Sequence, residues 1–139
     1  MAYGERSTVP ATAIDRLFAY GTLQPGQGAY GVVAPFVQAV LPATVRGSMY
    51  AFPASHPGVV PDDGGLVHGT LLQLAELPAA LPLLDAYEGD DFMRILTEAS
   101  TDGGPTWAWI YVLASPDLAR LGQPVPHGNW LRYQRELGR

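Results

Sequence analysis

The stretch Leu17-Phe18-Ala19-Tyr20-Gly21-Thr22-Leu23 is a short apolar run that stops at a glycine. Aliphatic and aromatic residues bounded by a glycine predict a β-strand, which we place at residues 16–20, followed by a turn. Because glycine lets a ligand approach the backbone closely, the N–H groups of Gly21, Thr22 and Leu23 could converge on an anion such as a carboxylate. The Thr22 hydroxyl adds one more donor. An ordinary exit from a strand accounts for the same residues, so this stretch alone leaves both interpretations open.

The composition indicates a single acidic domain. The chain has 139 residues, 13 acidic residues and 8 basic ones, all of them arginine, which gives a net charge of −5. This length can bury a core of its own, and we expect an N-terminal arm over residues 1–14 and one domain over residues 15–139. An acidic chain without a basic run is a poor candidate for binding nucleic acid or an anionic membrane.

The chain has no cysteine, which excludes disulfides, a catalytic thiolate and cysteine-ligated metals. The three histidines, at positions 56, 68 and 127, lack the spacing of a metal site, so no metal is expected. Residues 1–15 do not resemble a signal peptide, and no apolar run reaches 18 residues. We therefore expect a soluble, cytoplasmic protein that is a monomer or a weak homodimer and has no membrane or nucleic-acid partner.

The order of the predicted elements favours an α+β fold. An antiparallel hairpin is expected around Asp102-Gly103, a dipeptide that supplies positive φ angles at low cost. Strands outnumber helices without a regular β-α-β alternation, which favours a small mixed or antiparallel β-barrel with short flanking helices. Further strands are predicted at residues 43–50 (with a bulge at Gly47), 67–74, 92–100 and 106–113, helices at 29–34 and 76–87, and a loop at 53–65. Because proline lacks an N–H, an alternative is that the second helix begins as late as Pro82.

The stretch Leu84-Asp85-Ala86-Tyr87-Glu88-Gly89-Asp90-Asp91-Phe92-Met93-Arg94 carries the second group of candidate residues. Most of its acids are typical of a solvated helix end, but Glu88 lies where a helix gives way to a strand, next to an aromatic residue. Apolar surroundings raise the pKa of a carboxyl group, as a general base requires. Arg94 could pair with one of the acids or with a substrate. Tyr111 shares a strand face with Trp107 and Trp109, and either packs in the core or lines a cavity, and Tyr50 is a weaker candidate of the same kind.

Taken in order, these motifs resemble the γ-glutamylcyclotransferase family, in its AIG2-like branch. The first strand of that family ends in Tyr-Gly-(Ser/Thr)-Leu, as at residues 20–23, and its helix exit reads Leu-Asp-x-(Tyr/Phe/Leu)-Glu-Gly, as at residues 84–89. The stretches at residues 45–50, 67–72, 107–112 and 127–130 are similar to its other strands and its tail. The resemblance extends over residues 16–130.

The resemblance implies a small β-barrel enzyme that needs no cofactor and no metal. Its substrate would be a γ-glutamyl amide, whose own α-amine attacks the γ-carbonyl, so that 5-oxoproline closes and a free amine leaves. Glu88 would be the general acid/base, and the residues from Tyr20 to Leu23 would hold the α-carboxylate. The substrate-binding candidates are Tyr20, Gly21, Thr22, Leu23, Tyr50, Arg94 and Tyr111.

Two other functions remain compatible with the sequence. The same pocket could bind a small amino-acid-like ligand without turnover, or Thr22 could act as the nucleophile of an amidohydrolase. The presence of Glu88 argues against a binding protein without turnover, and the lack of a visible base near Thr22 argues against an amidohydrolase. The two enzymatic hypotheses differ in their products, since cyclisation releases 5-oxoproline and hydrolysis releases glutamate.

Overall fold

A computed structural model describes residues 14–53 and 55–137. Most of the expected arm, residues 1–13, lies outside this range, and Ile14 is buried. None of the helices in the described part of the chain is long and apolar enough to cross a membrane. The elements are β1 (Arg16–Ala19), α1 (Tyr30–Val33), a 3₁₀ turn (Ala34–Phe36), β2 (Val37–Arg46), β3 (Ser48–Phe52), β4 (His56–Val60), β5 (Leu66–Leu74), α2 (Leu77–Glu88), β6 (Phe92–Thr101), β7 (Gly104–Leu113), a second 3₁₀ helix (Pro116–Leu121), β8 (Gln123–Val125) and α3 (Trp130–Glu136).

Five strands close into a barrel in the order β1-β5-β2-β6-β7. Strand β5 pairs antiparallel with both β1 and β2, and β6 pairs antiparallel with β7 over their whole lengths. The barrel closes through a parallel contact between β1 and β7, at Leu17 and Trp109. The expected α+β fold with a small mixed barrel is therefore confirmed.

Three strands form a second sheet in the order β4-β3-β8. The sequence-based prediction of one strand across Gly47 was wrong, because the chain leaves the barrel sheet at this residue and enters the second sheet. The prediction of a loop over residues 53–65 was also wrong, since His56–Val60 forms β4. Its Pro57 is compatible with a strand because β4 lies at the edge of the sheet, where a missing N–H is tolerated.

The strand β1 is buried on both of its faces, which explains its unbroken apolar sequence. Phe18 and Tyr20 point into the core of the barrel, while Leu17 and Ala19 belong to a second apolar cluster outside it. Helices α1 and α2 cover that outer cluster. The end of β1 is therefore held from both sides, and the turn that follows it begins at a fixed position.

Helix α2 packs on the outside of the barrel through Leu77, Ala80 and Leu84, whose spacing places them on one face. The helix starts at Leu77 and not near Pro82. The ring of Pro82 lies within the helix on its exposed side and leaves the carbonyl of Pro78 without the usual N–H donor. Gly89 ends the helix with a φ of 79°. This packing brings Glu88, the last helical residue, to the end of β1.

Candidate active site

A cavity of about 560 Å³ opens where the end of β1, the end of α2 and the start of β4 meet. Its size is typical of a site for a small molecule. The predicted site residues that line it are Tyr20, Gly21, Thr22, Leu23, Glu88 and Tyr111. Tyr50 and Arg94 are not among its lining residues. Tyr50 lies in the second sheet opposite Gly58 and Pro124, and Arg94 binds a carboxylate of the protein.

The carboxyl group of Glu88 is half-buried in the wall of the cavity. Among the described residues it has no hydrogen-bond or ion-pair partner, so desolvation acts on it without compensation. Burial raises the pKa of Glu88 to about 7. The C-terminal end of a helix also disfavours a negative charge, so the position of Glu88 at the end of α2 opposes its ionisation as burial does. A carboxyl group with this pKa exchanges protons readily near neutral pH.

The turn after β1 lines the same cavity as this carboxyl group. Within the described structure, no hydrogen bond uses the N–H of Gly21, Thr22 or Leu23 as its donor. The carbonyls of the same turn are occupied instead, because Gly21 O accepts from Gln24 N at 3.1 Å and Thr22 O accepts from Ala29 N at 3.0 Å. The turn therefore offers three free donors and suits an anion.

Two contacts hold this turn in place. Gln24, with only 4% of its surface exposed, accepts a hydrogen bond from Thr70 Oγ1 at 3.2 Å and donates one to Gly21 O at 3.4 Å. At Gly21, a Cβ atom would lie 2.6 Å from Cγ of Pro57. Only glycine lets β4 approach the turn this closely, so the wall of the cavity depends on this residue.

The hydroxyl groups of Thr22 and Tyr87 lie 3.1 Å apart. This contact joins the turn after β1 to the last turn of α2. It couples the position of the free N–H groups to that of Glu88, which directly follows Tyr87. It also engages the Thr22 hydroxyl with a phenol.

A hydrogen-bond network that runs from the core to the surface supports the wall behind the cavity. The Tyr20 hydroxyl donates to the carbonyl oxygen of Tyr111 at 2.7 Å, and the Tyr111 hydroxyl donates to Asp85 Oδ1 at 2.6 Å. Asp85 also accepts from Arg94 Nε and Nη2, at 2.9 and 3.0 Å, and the Arg94 guanidinium lies 4.6 Å from the ring centre of Trp109. The hydrogen bonds from Arg94 lower the pKa of Asp85.

The phenol pKa values follow from this arrangement. Burial, with the nearby charge of Glu88, raises the pKa of Tyr20 well above its ordinary value. Burial and the bond to Asp85 raise the pKa of Tyr111 in the same way. Both phenols therefore remain neutral, and Glu88 is the cavity-lining group whose pKa lies near neutrality by virtue of burial.

The family model for γ-glutamyl cyclotransferase, AIG2-like, matches residues 17–132. The chain belongs to this family. The match covers most of β1, the turn, all of α2 and the first three residues of α3, and thus all the residues of the cavity. No protein with a curated functional description matches the sequence.

Several solved structures share this fold. YkqA from Bacillus subtilis has a TM-score of 0.71 and 24% identity over 88% of this chain, which spans only 42% of the length of that protein. An uncharacterised protein from Pyrococcus horikoshii has a TM-score of 0.65 and 19% identity, over 88% of this chain and 97% of its own. An AIG2-like protein from mouse, Mus musculus, has a TM-score of 0.57 and 19% identity, over 82% and 87% of the two chains.

Several residues of this cyclotransferase-family site were not predicted from the sequence. Tyr87 and Gln24 lie within or beside the predicted motifs, and their proximity to Glu88 and Gly21 was an available signal. Ser55, His56 and Pro57 line the cavity from the start of β4. No local pattern marks them, because they reach the site only through the pairing of β4 with β3.

Proposed function

We propose that this member of the family is a γ-glutamyl cyclotransferase that acts on a γ-glutamyl amide and releases 5-oxoproline and a free amine. In this proposal the free N–H groups of Gly21, Thr22 and Leu23 bind the α-carboxylate of the substrate, and Glu88 is the general acid/base. The observation that carries it is the half-buried, unpaired carboxyl group of Glu88 in the same cavity as a turn with three unused donors.

The nucleophile of the reaction belongs to the substrate. Glu88 takes a proton from the α-ammonium group, and the neutral amine attacks the γ-carbonyl carbon to form a five-membered ring. The protonated Glu88 then gives its proton to the amide nitrogen, the bond from this nitrogen to the carbonyl carbon breaks, and the amine leaves. Glu88 takes the second proton of the ring nitrogen, and this proton passes to the released amine, so that the products are the neutral lactam of 5-oxoproline and an ammonium ion. The protein acts mainly by holding the substrate in a curled conformation, in which the reacting atoms are close.

The decisive test is a comparison of the wild-type protein with its Glu88→Gln variant. Each is incubated with γ-glutamyl dipeptides and γ-glutamyl amines, and both 5-oxoproline and glutamate are quantified. We expect 5-oxoproline from the wild type and a loss of at least about 100-fold in kcat for the variant, since the amide cannot take up a proton. The Glu98→Gln variant is the matched control, because this exposed acid lies on β6 away from the cavity. Full activity of the Glu88→Gln variant would refute the proposal.

The same assay separates this function from an amidohydrolase. A hydrolase that uses Thr22 as its nucleophile releases glutamate and loses all activity in the Thr22→Val variant. In a cyclotransferase the Thr22 hydroxyl is a binding group, so the Thr22→Val variant raises KM and retains turnover. Binding of γ-glutamyl compounds without either product would instead indicate a binding protein.

A further inference from the structure

A second cleft, of about 730 Å³, lies next to the cavity at Ser55. Ser55, the residue before β4, lines both of them. The ring of Phe52, which lines the cleft, stacks on the ring of His56, which lines the cavity, at 5.3 Å between centroids and an angle of 12°. The cleft is therefore directly next to the cavity.

The lining of this cleft differs in chemistry from that of the cavity. The cavity is lined by three carboxylates, Glu88, Asp90 and Asp91. None of the described residues that line the cleft is charged, and three of them, Phe52, Trp130 and Tyr133, contribute aromatic rings. Such a surface favours apolar or aromatic groups and disfavours charged ones, which would be desolvated there without a partner.

Two residues of the cleft are in environments that a ligand would improve. Leu121 keeps 69% of its surface exposed at the edge of the cleft, so covering it removes apolar area from water. Trp130 is only 2% exposed, and its indole N–H is buried without a hydrogen-bond acceptor. An indole nitrogen can only donate, so this N–H has no acceptor among the described residues. Neighbouring groups cover it, so an acceptor in the cleft reaches it only when the side chains around Trp130 shift.

We propose that this cleft binds the amine portion of the γ-glutamyl substrate, and that this portion is an uncharged group with an aromatic or branched apolar part and a carbonyl. The inference rests on the proposed function and specifies its substrate class. The side chains around Trp130 shift so that the carbonyl accepts from its indole N–H, and the apolar part covers Leu121 and stacks near Phe52. The leaving amine then resembles the first residue of a peptide more than a small alkylamine or a charged amino acid.

The test uses two probes that differ only in the leaving amine. They are γ-glutamyl-phenylalanine amide, which carries an aromatic ring and a carbonyl, and γ-glutamyl methylamide, which ends before the cleft. Affinities are measured by calorimetry on the Glu88→Gln protein, so that turnover does not interfere. We expect the phenylalanine amide to bind at least about tenfold more tightly, the usual gain from burying one apolar group in a pocket. Equal affinities would overturn the inference.

Variants in the cleft then locate the binding. The Leu121→Glu substitution, made in the Glu88→Gln protein, places a charge at the exposed edge of the cleft, and we expect the preference for the phenylalanine amide to fall about tenfold. The Leu66→Glu substitution is the matched control, because Leu66 is 47% exposed and lies outside the cleft. A preference that survives Leu121→Glu, or is lost equally with Leu66→Glu, would contradict the assignment.

A third substitution, Trp130→Phe, removes the indole donor and keeps an aromatic ring. We expect it to weaken binding of the phenylalanine amide about tenfold, and an unchanged affinity would overturn the role of the carbonyl. The two proposals fail in different experiments. If the wild type releases no 5-oxoproline from either probe although the amide binds more tightly, the proposed function fails and the cleft assignment stands. If 5-oxoproline forms equally well from both probes and their affinities are equal, the cleft assignment fails alone.

Discussion

The hydroxyl of Tyr111 donates a 2.6 Å hydrogen bond to Oδ1 of Asp85, and so joins the barrel strand β7 to helix α2. Asp85 lies one turn before Glu88, so this bond orients the end of the helix that carries the proposed base. The ion pair of Asp85 with Arg94 fixes the same carboxylate from β6. The last turn of α2 is therefore attached to two strands of the barrel.

The Tyr111→Phe variant tests the strength of this attachment. Because a hydrogen bond to a charged acceptor is lost, we expect the free energy of unfolding to fall by about 1.5 kcal/mol in urea denaturation. Tyr50→Phe serves as the control, since the Tyr50 hydroxyl makes no hydrogen bond among the described residues, and it should change stability by less than about 0.5 kcal/mol. Equal effects of the two substitutions would show that the bond to Asp85 contributes nothing.

The pH profile of activity should report the ionisation of Glu88. Its pKa is raised to about 7 by burial, and only the ionised form accepts a proton. We therefore expect kcat/KM to rise about tenfold per pH unit below pH 7 and to level off above it, with an apparent pKa near 7 in the free enzyme. The measurement is kcat/KM for a γ-glutamyl substrate between pH 5 and pH 9. A plateau that extends down to pH 5 would exclude Glu88 as the base.

The same ionisation should appear in the stability of the fold. The folded state binds the Glu88 proton more tightly than the unfolded state, whose pKa is near 4.5. Glu88 therefore makes the free energy of unfolding fall as the pH rises from about 4.5 to about 7. The stability of the Glu88→Gln variant relative to the wild type should increase across this window and be constant on either side of it. Denaturation at several pH values measures this difference, and one that does not change with pH contradicts the raised pKa.

The contact between Gly21 and Pro57 gives a prediction about the cavity wall. In the Gly21→Ala variant the added Cβ meets the Pro57 ring at 2.6 Å, so we expect a loss of about 1–3 kcal/mol in stability and an increase in KM. The second substitution Pro57→Ala should restore part of both losses. Gly28→Ala is the control, because nothing lies within 4 Å of its new Cβ. If Gly21→Ala and Gly28→Ala lost the same stability, the contact with Pro57 could not be the cause of the loss.

The sequence contained the information for the barrel strands and for the acid at the helix end. The strand β1 is apolar on both faces because both are buried, and Glu88 could be identified because Gly89 marks the end of α2. These features are local, since each depends on residues a few positions apart. The identity of the fold followed from the order of such local motifs along the chain.

The parts that could not be predicted depend on contacts between distant residues. Pro57 and Gly58 are typical of a loop, and their place in β4 is determined by pairing with β3 and by the approach to Gly21. The partner of Arg94 was not evident either, because four acids lie within the preceding ten residues and only the folded helix presents Asp85. The position of Tyr50 likewise depends on Gly47, where the chain changes sheets.

The separation of the two sheets has a consequence for how this protein can diversify. The barrel and α2 carry the proposed base and the proposed anion-binding turn, whereas Ser55, between β3 and β4, lines both the cavity and the cleft. Under the proposed function, substitutions at Ser55 therefore change which amines are accepted while the reacting groups stay in place. The residues proposed to select the amine and those proposed to carry out the reaction therefore lie on different segments of the chain. During evolution the first set can change while the second is retained.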